Sequence, residues 1–218
     1  MNTFTTYVAQ FKEVLDKLPM ARLKELAEQL HQTRLAGKQV FVIGNGGSAS
    51  TASHLACDLN KNTVVAGLPR FRVLALTDNM AVFSATGNDL GYDNVFAEQL
   101  ANFVEPGDML IAISASGNSP NILKAVGLAQ QNSAMTVGWS GFDGGKLAQS
   151  VDLSIVVPSH QIEQVEDIHL MLAHMVTTAV RQTAYQAYLA KPVEAVVVTP
   201  SPANSYTAQP VSQPGLPV

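Results

Sequence analysis

The sequence is poor in cysteine and in charged side chains. Of its 218 residues one is cysteine, Cys57, and 14% are charged, with a formal net charge of -4 at pH 7. A single cysteine excludes an internal disulfide and is typical of a reducing compartment. Because there is no run of Lys or Arg, we predict no nucleic-acid partner, although backbone N–H groups can still hold a small anion. The low charged fraction predicts an oligomer that buries helix surface.

Long apolar runs are missing as well. The first 18 residues, MNTFTTYVAQFKEVLDKL, form an amphipathic pattern that charges interrupt. This pattern predicts neither a signal peptide nor a membrane span. Hydrophobic residues nevertheless make up 47% of the chain, enough for a substantial core. We therefore expect a cytoplasmic protein with no membrane partner.

What the sequence does have is an alternation of short apolar runs and helical patterns. Two helices are predicted to lead the chain, ending at Pro19 and Gly37. Predicted strands follow at 39–44, 72–76, 108–113, 135–137 and 153–157. Helices are predicted to begin near Ser48, Asn79, Asp93, Ser119 and Gly145, and a long one covers 162–189. This order predicts an α/β fold, a three-layer α/β/α domain with a five-stranded parallel sheet.

Composition divides the chain into three parts. Residues 1–37 are predicted to form a helical arm at an oligomer interface, and residues 38–191 the α/β domain. Residues 192–218 hold six of the eleven prolines and one charged residue. Such a composition predicts a disordered tail, with an edge strand at 196–198 as the alternative.

One glycine-rich turn, GNGGSA at 44–49, follows the first strand and opens a helix. Glycines let a ligand approach the backbone, and a helix N-terminus favours an anion. Gly44, Gly46 and Ala49 also fit the dinucleotide fingerprint, but the acid expected about 20 positions further on is absent. We therefore predict no nucleotide cofactor. A tight turn without a ligand is the alternative.

A second loop, ASGNSPN, follows the third strand, MLIAIS. Ser119 suits an N-cap and Pro120 the first position of a helix. Ser114, Ser116 and Ser119 therefore gather at the carboxyl edge of the sheet, where open parallel sheets bind ligands. Hydroxyl and backbone N–H groups can bind a phosphate without Lys or Arg. The paired loops predict a phosphate site.

These segments together resemble the sugar isomerase (SIS) domain family, in particular its phosphoheptose isomerase branch. The resemblance runs over about residues 4–190 and includes GNGGSAS, TDNMAVFSATGNDLGYDNVFAEQL, GDMLIAISASGNSPNILKAV and E-D-I-H-x4-H. It implies a homotetramer with active sites between subunits. It also implies isomerisation of sedoheptulose 7-phosphate to D-glycero-D-manno-heptose 7-phosphate, through an enediolate, for surface polysaccharide.

The resemblance also implies which residues act. The substrate-binding residues it implies are Asn45, Gly46, Gly47, Ser48, Asn88, Asp89, Ser114, Ala115, Ser116, Ser119 and Glu166. One Zn²⁺ per subunit is expected, and the ligands implied for it are His54, Asp58, Glu166 and His174. Asp58 and His174 are the expected catalytic residues.

The sequence departs from the family pattern at several of these positions. The family usually has glutamate at the position of Asp58, glutamine at that of Glu166 and often threonine at that of Ala115. An arginine that often follows the carboxylate is missing, and Lys61 and Asn62 occupy that region. These departures leave open an isomerase for another ketose phosphate, or a non-catalytic tetramer that binds a replication initiator. A sensor joined to a DNA-binding domain is disfavoured because no basic patch is present.

The spacing of the candidate catalytic residues supports isomerase chemistry. His54 and Asp58 lie four residues apart, so they share one face of a helix. An aldose–ketose isomerase needs a base at two adjacent carbons and an acid for their oxygens, roles that suit Asp58 and His174. A surface or packing pair is the alternative for such spacing. Glu166 and His174 are separated by about 12 Å along a helix, so joint binding of one ion requires an irregular helix start or a second subunit.

Overall fold

The computed structural model describes residues 2–189 of the chain, and over this range it contains a parallel sheet between two layers of helices. The helices are α1 (Thr3–Leu15), α2 (Met20–Leu35), α3 (Gly47–Asn62), α4 (Met80–Asp89), α5 (Ala97–Ala101), α6 (Pro120–Gln131), α7 (Gly145–Ser150) and α8 (Ile162–Leu189). The strands are β1 (Gln39–Gly44), β2 (Arg72–Ala75), β3 (Met109–Ile113), β4 (Met135–Ser140) and β5 (Leu153–Val156). None of the helices within this range is long and apolar enough to cross a bilayer.

The five strands form one sheet in the order β2-β1-β3-β4-β5, and every neighbouring pair is parallel. In the register of the central strands, Val40 of β1 lies beside Met109 of β3, which lies beside Met135 of β4. The three-layer α/β/α fold predicted from the sequence is confirmed. The helix expected near Asp93 begins as a 3₁₀ turn (Tyr92–Asn94), and the regular helix α5 starts only at Ala97.

Side chains alternate along the strands between two apolar cores. Val40 and Val42 of β1 belong to the core beneath α1, α2, α3 and α8, whereas Phe41 and Ile43 belong to the opposite core. Such alternation is what a sheet covered on both faces requires. The first core also contains Trp139, which is fully buried. Both faces of the sheet are therefore closed, and the carboxyl edge is left for the functional loops.

The long helix α8 holds the first layer together. It packs along both α2 and α3, and buried leucines of α2 belong to its core. Helix α1 is tied to the start of α8 by the Tyr7 hydroxyl, which donates to Asp167 Oδ2 at 2.6 Å. Phe4 of α1 is 81% exposed and Val8 52%. The predicted interface at residues 1–37 stays a prediction, and the predicted tail at 192–218 lies outside the described residues.

Candidate active site

Helix α3 begins where β1 ends, and the turn between them needs glycine. Gly46, the residue before α3, has a left-handed backbone with φ of 54°. A Cβ on Gly44 would lie 2.4 Å from the carbonyl oxygen of Ser48, so the strand end and the helix touch without side chains between them. The turn predicted from the GNGGSA motif is thus formed, and the helix N-terminus faces the sheet edge.

The serine-rich loop lies beside this turn because β1 and β3 are neighbours in the sheet. Ser114 follows β3 directly, and its hydroxyl lies 3.2 Å from that of Ser119. Ser119 precedes α6, but its side chain makes no capping bond to that helix. The two hydroxyls therefore face each other across the loop instead of closing the helix end.

Between the two loops lies a small cavity of about 180 Å³, called here the loop cavity. The residues that line it are Asn45, Ser48, Ile113, Ser114, Ala115, Ser116, Ser119, Ile162 and Glu166. Seven of these nine were predicted as substrate contacts from the sequence. Among the described residues that line the cavity none is Lys or Arg, so an anion held here depends on hydroxyls and on the N-termini of α3 and α6.

Gly47 and Glu166 bring the starts of α3 and α8 together. A Cβ on Gly47 would come within 2.7 Å of a Glu166 carboxylate oxygen, so a larger residue would displace that carboxylate. Glu166 is half-buried. It sits at the end of the cavity that α3 faces, where the family usually has an uncharged glutamine.

Two predicted substrate residues lie elsewhere. Asn88 and Asp89 are exposed at the end of α4, and the Asn88 amide donates to Asp89 Oδ1 at 2.7 Å. Neither lines the loop cavity within the described chain. Their predicted contact with substrate stays a prediction.

Two turns further along the helices, His54 and Asp58 of α3 meet His174 of α8; we call these three the His–Asp–His group. His54 Nε2 lies 2.8 Å from His174 Nε2 and 3.3 Å from Asp58 Oδ2. The third edge, His174 Nε2 to Asp58 Oδ2, is 3.9 Å. The shared helix face predicted for His54 and Asp58 is formed, and the ligand atoms of all three converge on one point.

Asp58 is the most enclosed member of the His–Asp–His group. Its side chain is 13% exposed, against 43% for His54 and 53% for His174. The Asn62 side chain donates to Asp58 Oδ1 at 2.8 Å, which leaves Oδ2 turned toward the two imidazoles. One oxygen of the Asp58 carboxylate, Oδ1, is therefore held by a hydrogen bond, and the other, Oδ2, faces His54 and His174.

The donor set of the His–Asp–His group suits a zinc ion. Bonds of about 2.0–2.2 Å in a tetrahedral site place neighbouring ligand atoms about 3.3–3.6 Å apart. The three measured separations, 2.8, 3.3 and 3.9 Å, lie around that range. Glu166 is not a member of the group within one chain, because it lies eight residues before His174 in the continuous helix α8. The fourth position is thus left for another ligand.

His169, five residues before His174, belongs to the core and not to the site. It is fully buried, and its Nε2 lies 3.3 Å from the carbonyl oxygen of Ser140. Burial lowers the pKa of His169 from 6.5 to about 4, although the hydrogen bond to Ser140 acts in the opposite direction. The ring is therefore neutral near pH 7 and fills space beside Trp139.

Two residues that were not predicted from the sequence contact a predicted site residue. Asn121, at the start of α6, exchanges two hydrogen bonds with the Asn45 amide, at 2.9 and 3.0 Å. The Tyr92 hydroxyl donates to Asn45 Oδ1 at 2.9 Å. Asn121 follows Ser119 and Pro120 within the motif already noted, so its place at the helix start was a usable signal. Nothing in the spacing of Tyr92 indicated its contact.

Comparison with known proteins agrees with this geometry. The family model described as SIS domain matches residues 3–141. The chain therefore belongs to the SIS domain family.

Relatives identify the branch. The phosphoheptose isomerase of Rhodospirillum rubrum is 41% identical over 140 residues, which are 64% of this chain and 74% of that protein. That of Trichlorobacter lovleyi is 34% identical over 178 residues, 81% of this chain and 89% of that protein. The solved structure of phosphoheptose isomerase GmhA from Neisseria gonorrhoeae superimposes with a TM-score of 0.74 at 28% sequence identity. The match covers 83% of this chain and 100% of the GmhA chain. Within the SIS family the chain thus falls in the phosphoheptose isomerase branch.

Proposed function

We propose that this protein is a phosphoheptose isomerase that interconverts sedoheptulose 7-phosphate and D-glycero-D-manno-heptose 7-phosphate for surface polysaccharide. The observation that carries the proposal is the pairing of an anion cavity with a group of acid–base side chains along the same two helices. Gly47 and Glu166 mark the cavity end of α3 and α8, and His54 and His174 meet two turns further along. The named relatives support the same activity.

The distance between the two parts favours a seven-carbon substrate. Seven residues of α3 from Gly47 to His54 rise about 10 Å, and eight residues of α8 from Glu166 to His174 rise about 12 Å. An extended chain advances about 1.2 Å per bond, so the phosphorus of a ketoheptose 7-phosphate lies about 10 Å from C1. In a ketopentose 5-phosphate the same distance is about 7 Å. With the phosphate in the loop cavity, a heptose brings C1 to the His–Asp–His group and a pentose does not.

The residues divide the chemistry as follows. Ser114, Ser116 and Ser119, with the backbone N–H groups at the start of α6, bind the phosphate. Asp58 Oδ2 takes the proton from one of the two adjacent carbons and returns it to the other, which passes through an enediolate. His174 moves protons to and from the oxygens on these carbons, and His54 stabilises the negative charge that develops there.

We also propose one Zn²⁺ per subunit, bound by His54, Asp58 and His174. When bound, zinc supplies Lewis-acid polarisation of the substrate oxygens. A fourth protein ligand from Glu166 requires a second subunit, because within one chain that carboxylate lies at the loop cavity. Asp58 is one methylene shorter than the usual glutamate, and the bond from Asn62 holds its other oxygen.

The functional unit we propose is a cytoplasmic homotetramer with active sites at subunit interfaces. The exposed Phe4 and Val8 of α1 support burial of residues 1–37 between subunits. The exposed position of Asn88 and Asp89 supports contact with a substrate bound partly by another subunit. Residues 38–191 form the α/β domain in this proposal.

The test is direct turnover. Purified protein is incubated with sedoheptulose 7-phosphate, and in parallel with ribulose 5-phosphate, and formation of the aldose phosphate is followed with chelator and with added Zn²⁺. We expect product from the heptulose and much less from the pentulose. His174→Gln should abolish turnover, whereas His160→Gln, an exposed histidine outside the His–Asp–His group, should retain it.

Other outcomes separate the alternatives. Product from the pentulose alone would assign a different ketose phosphate. No product from either substrate, with the protein folded and loaded with Zn²⁺, would contradict the enzyme and favour a non-catalytic tetramer that binds a replication initiator.

A further inference from the structure

The side chain of Asn45 is held by three hydrogen bonds with two neighbours rather than left free in the loop cavity. Asn121 donates to Asn45 Oδ1 at 2.9 Å and accepts from Asn45 Nδ2 at 3.0 Å. Tyr92 donates to the same Asn45 Oδ1 at 2.9 Å. Asn121 is 1% exposed, so its side chain is enclosed where it meets Asn45. A residue that lines a binding cavity is therefore fixed from behind by two residues that do not line it.

The backbone determines which way each amide points. The N–H of Ile122, which can only donate, bonds Asn121 Oδ1 at 2.9 Å. This bond orients Asn121 with its NH₂ toward Asn45, and Asn45 must then receive it through Oδ1 and donate through Nδ2. The Tyr92 hydroxyl, which also meets Oδ1, has to be a donor. One unambiguous backbone group thus orients the whole chain of hydrogen bonds.

This orientation leaves one hydrogen-bonding position of Asn45 for a ligand. Of the two hydrogens on Nδ2, one goes to Asn121, and the other meets no acceptor among the described residues. Asn45 lines the loop cavity beside Ser48 and Ser114. The amide can therefore offer a fixed donor to an oxygen of a bound molecule, and it cannot offer its own oxygen, which already accepts two bonds.

Tyr92 itself is held in place by the segment that carries it. Gly91, which lies between α4 and the 3₁₀ turn that carries Tyr92, has a positive φ of 87°, a conformation that favours glycine. The Tyr92 ring packs edge-to-face against Phe83 with centroids 5.8 Å apart. The side chain of Lys124 on α6 reaches Asn94, two residues further on. The segment of Asn88 and Asp89 is thereby connected to the cavity through Tyr92.

We propose that Asn121 and Tyr92 are positioning residues that lock the Asn45 amide with its N–H toward the loop cavity, so that it donates to an oxygen of the bound sugar phosphate. The inference rests on the proposed function, since it assigns Asn45 a sugar-phosphate ligand. Tyr92 acts through Asn45 and touches no substrate atom. A pre-oriented donor loses less conformational freedom on binding than a free one, so it binds substrate more tightly.

The experiment is a double-mutant cycle on kcat/KM for sedoheptulose 7-phosphate. Tyr92→Phe removes the hydroxyl and keeps the ring against Phe83; loss of one such hydrogen bond predicts about a three- to tenfold fall in kcat/KM, mostly through KM. In an Asn45→Ala background the same substitution should change kcat/KM by less than about twofold, because its partner is gone. Tyr185→Phe, an exposed tyrosine far along α8, is the matched control and should match the wild type.

The outcomes distinguish the proposals. Equal losses from Tyr92→Phe in both backgrounds, or no loss in the wild-type background, would overturn the positioning role while the proposed function stands. A wild-type protein that does not isomerise the heptulose overturns the proposed function and this inference with it. Asn121→Asp keeps the acceptor for Ile122 but loses the donor to Asn45; with the fold intact by circular dichroism, it should raise KM at least as much as Tyr92→Phe.

Discussion

The loop cavity and the His–Asp–His group lie along the same pair of helices but consist of different chemical groups. The cavity consists of hydroxyls, glycines and helix N-termini, and its described lining contains no cation. The His–Asp–His group consists of titratable side chains that converge two turns further along. The first therefore depends on backbone geometry, and the second on the identity of three side chains. We expect changes in the cavity to alter substrate affinity and changes in the group to alter the chemical step.

The largest effect is expected from Asp58→Asn. The amide keeps the shape and can still meet Asn62, but it cannot accept the proton that the isomerisation moves. General base catalysis contributes about 10²- to 10⁴-fold, so kcat should fall by about 10³-fold or more while KM and folding stay near the wild type. Asp93→Asn, an exposed aspartate in the turn before α5, is the control. Near-normal turnover of Asp58→Asn would show that Asp58 is not the base.

The pH dependence of the free energy of unfolding should depend on His169 and not on His174, although both lie on α8. The folded pKa of His169, about 4, lies below the unfolded value of 6.5. The unfolded chain then binds the extra proton first as the pH falls, so stability is complete above pH 6.5 and declines by about 3 kcal/mol on passing down through pH 4.

The measurement is the urea midpoint as a function of pH for the wild type, His169→Gln and His174→Gln. His169→Gln should lose part of the decline, although burial also lowers the pKa of His31 and leaves a contribution there. His174→Gln should retain the decline. An unchanged pH profile in His169→Gln would argue against a neutral buried imidazole.

The fold and the cavity followed from sequence patterns because each rests on local chemistry. Apolar runs closed by Gly44 or Ser114 place the loops at one sheet edge, and parallel pairing then brings them side by side. The proximity of His54 to Asp58 followed from helical spacing alone. Their meeting with His174 could be inferred only by resemblance, since it depends on how α8 packs on α3.

The remaining features depend on contacts between distant segments, which periodicity does not encode. Tyr92 donates to Asn45 across 47 residues of sequence. Glu166 lies at the loop cavity because α8 begins against Gly47; the resemblance implied both this substrate contact and a metal ligand, and only the packing of α8 separates the two within one chain. Asp58 and Asn62 both lie where the sequence departs from the family pattern, and the structure shows that they are linked by a hydrogen bond.

Ser114→Ala tests the cavity by removing one hydroxyl. A hydrogen bond to a charged group contributes about 1.5–3 kcal/mol, so KM for the heptulose phosphate should rise about 10- to 100-fold with little change in kcat. Ser84→Ala on the exposed face of α4 is the matched control. A fall in kcat without a rise in KM would contradict the assignment of this loop to the phosphate.

Glu166→Gln should increase the affinity of the loop cavity for the substrate phosphate. The carboxylate lies at the start of α3, where it repels a bound phosphate and competes for the same helix N-terminus. The repulsion between two unit charges about 4 Å apart in water is about 1 kcal/mol. Removing the Glu166 charge therefore predicts about a three- to tenfold lower KM. Glu163→Gln, one turn earlier on α8, should leave KM unchanged. A higher KM for Glu166→Gln would instead assign the carboxylate a direct role in holding the sugar.

The smallest effect is expected from Asn62→Ala, which tests how the His–Asp–His group tolerates a short carboxylate. Asn62 is exposed, and its bond to Asp58 Oδ1 at 2.8 Å competes with water, so its loss is worth about 0.5 kcal/mol. We expect kcat to fall two- to threefold with KM unchanged, and Lys61→Ala, its neighbour, to behave like the wild type. If Asn62→Ala raised KM and left kcat alone, Asn62 would serve substrate binding, and the division between an affinity region and a chemical region would not hold on this face of α3.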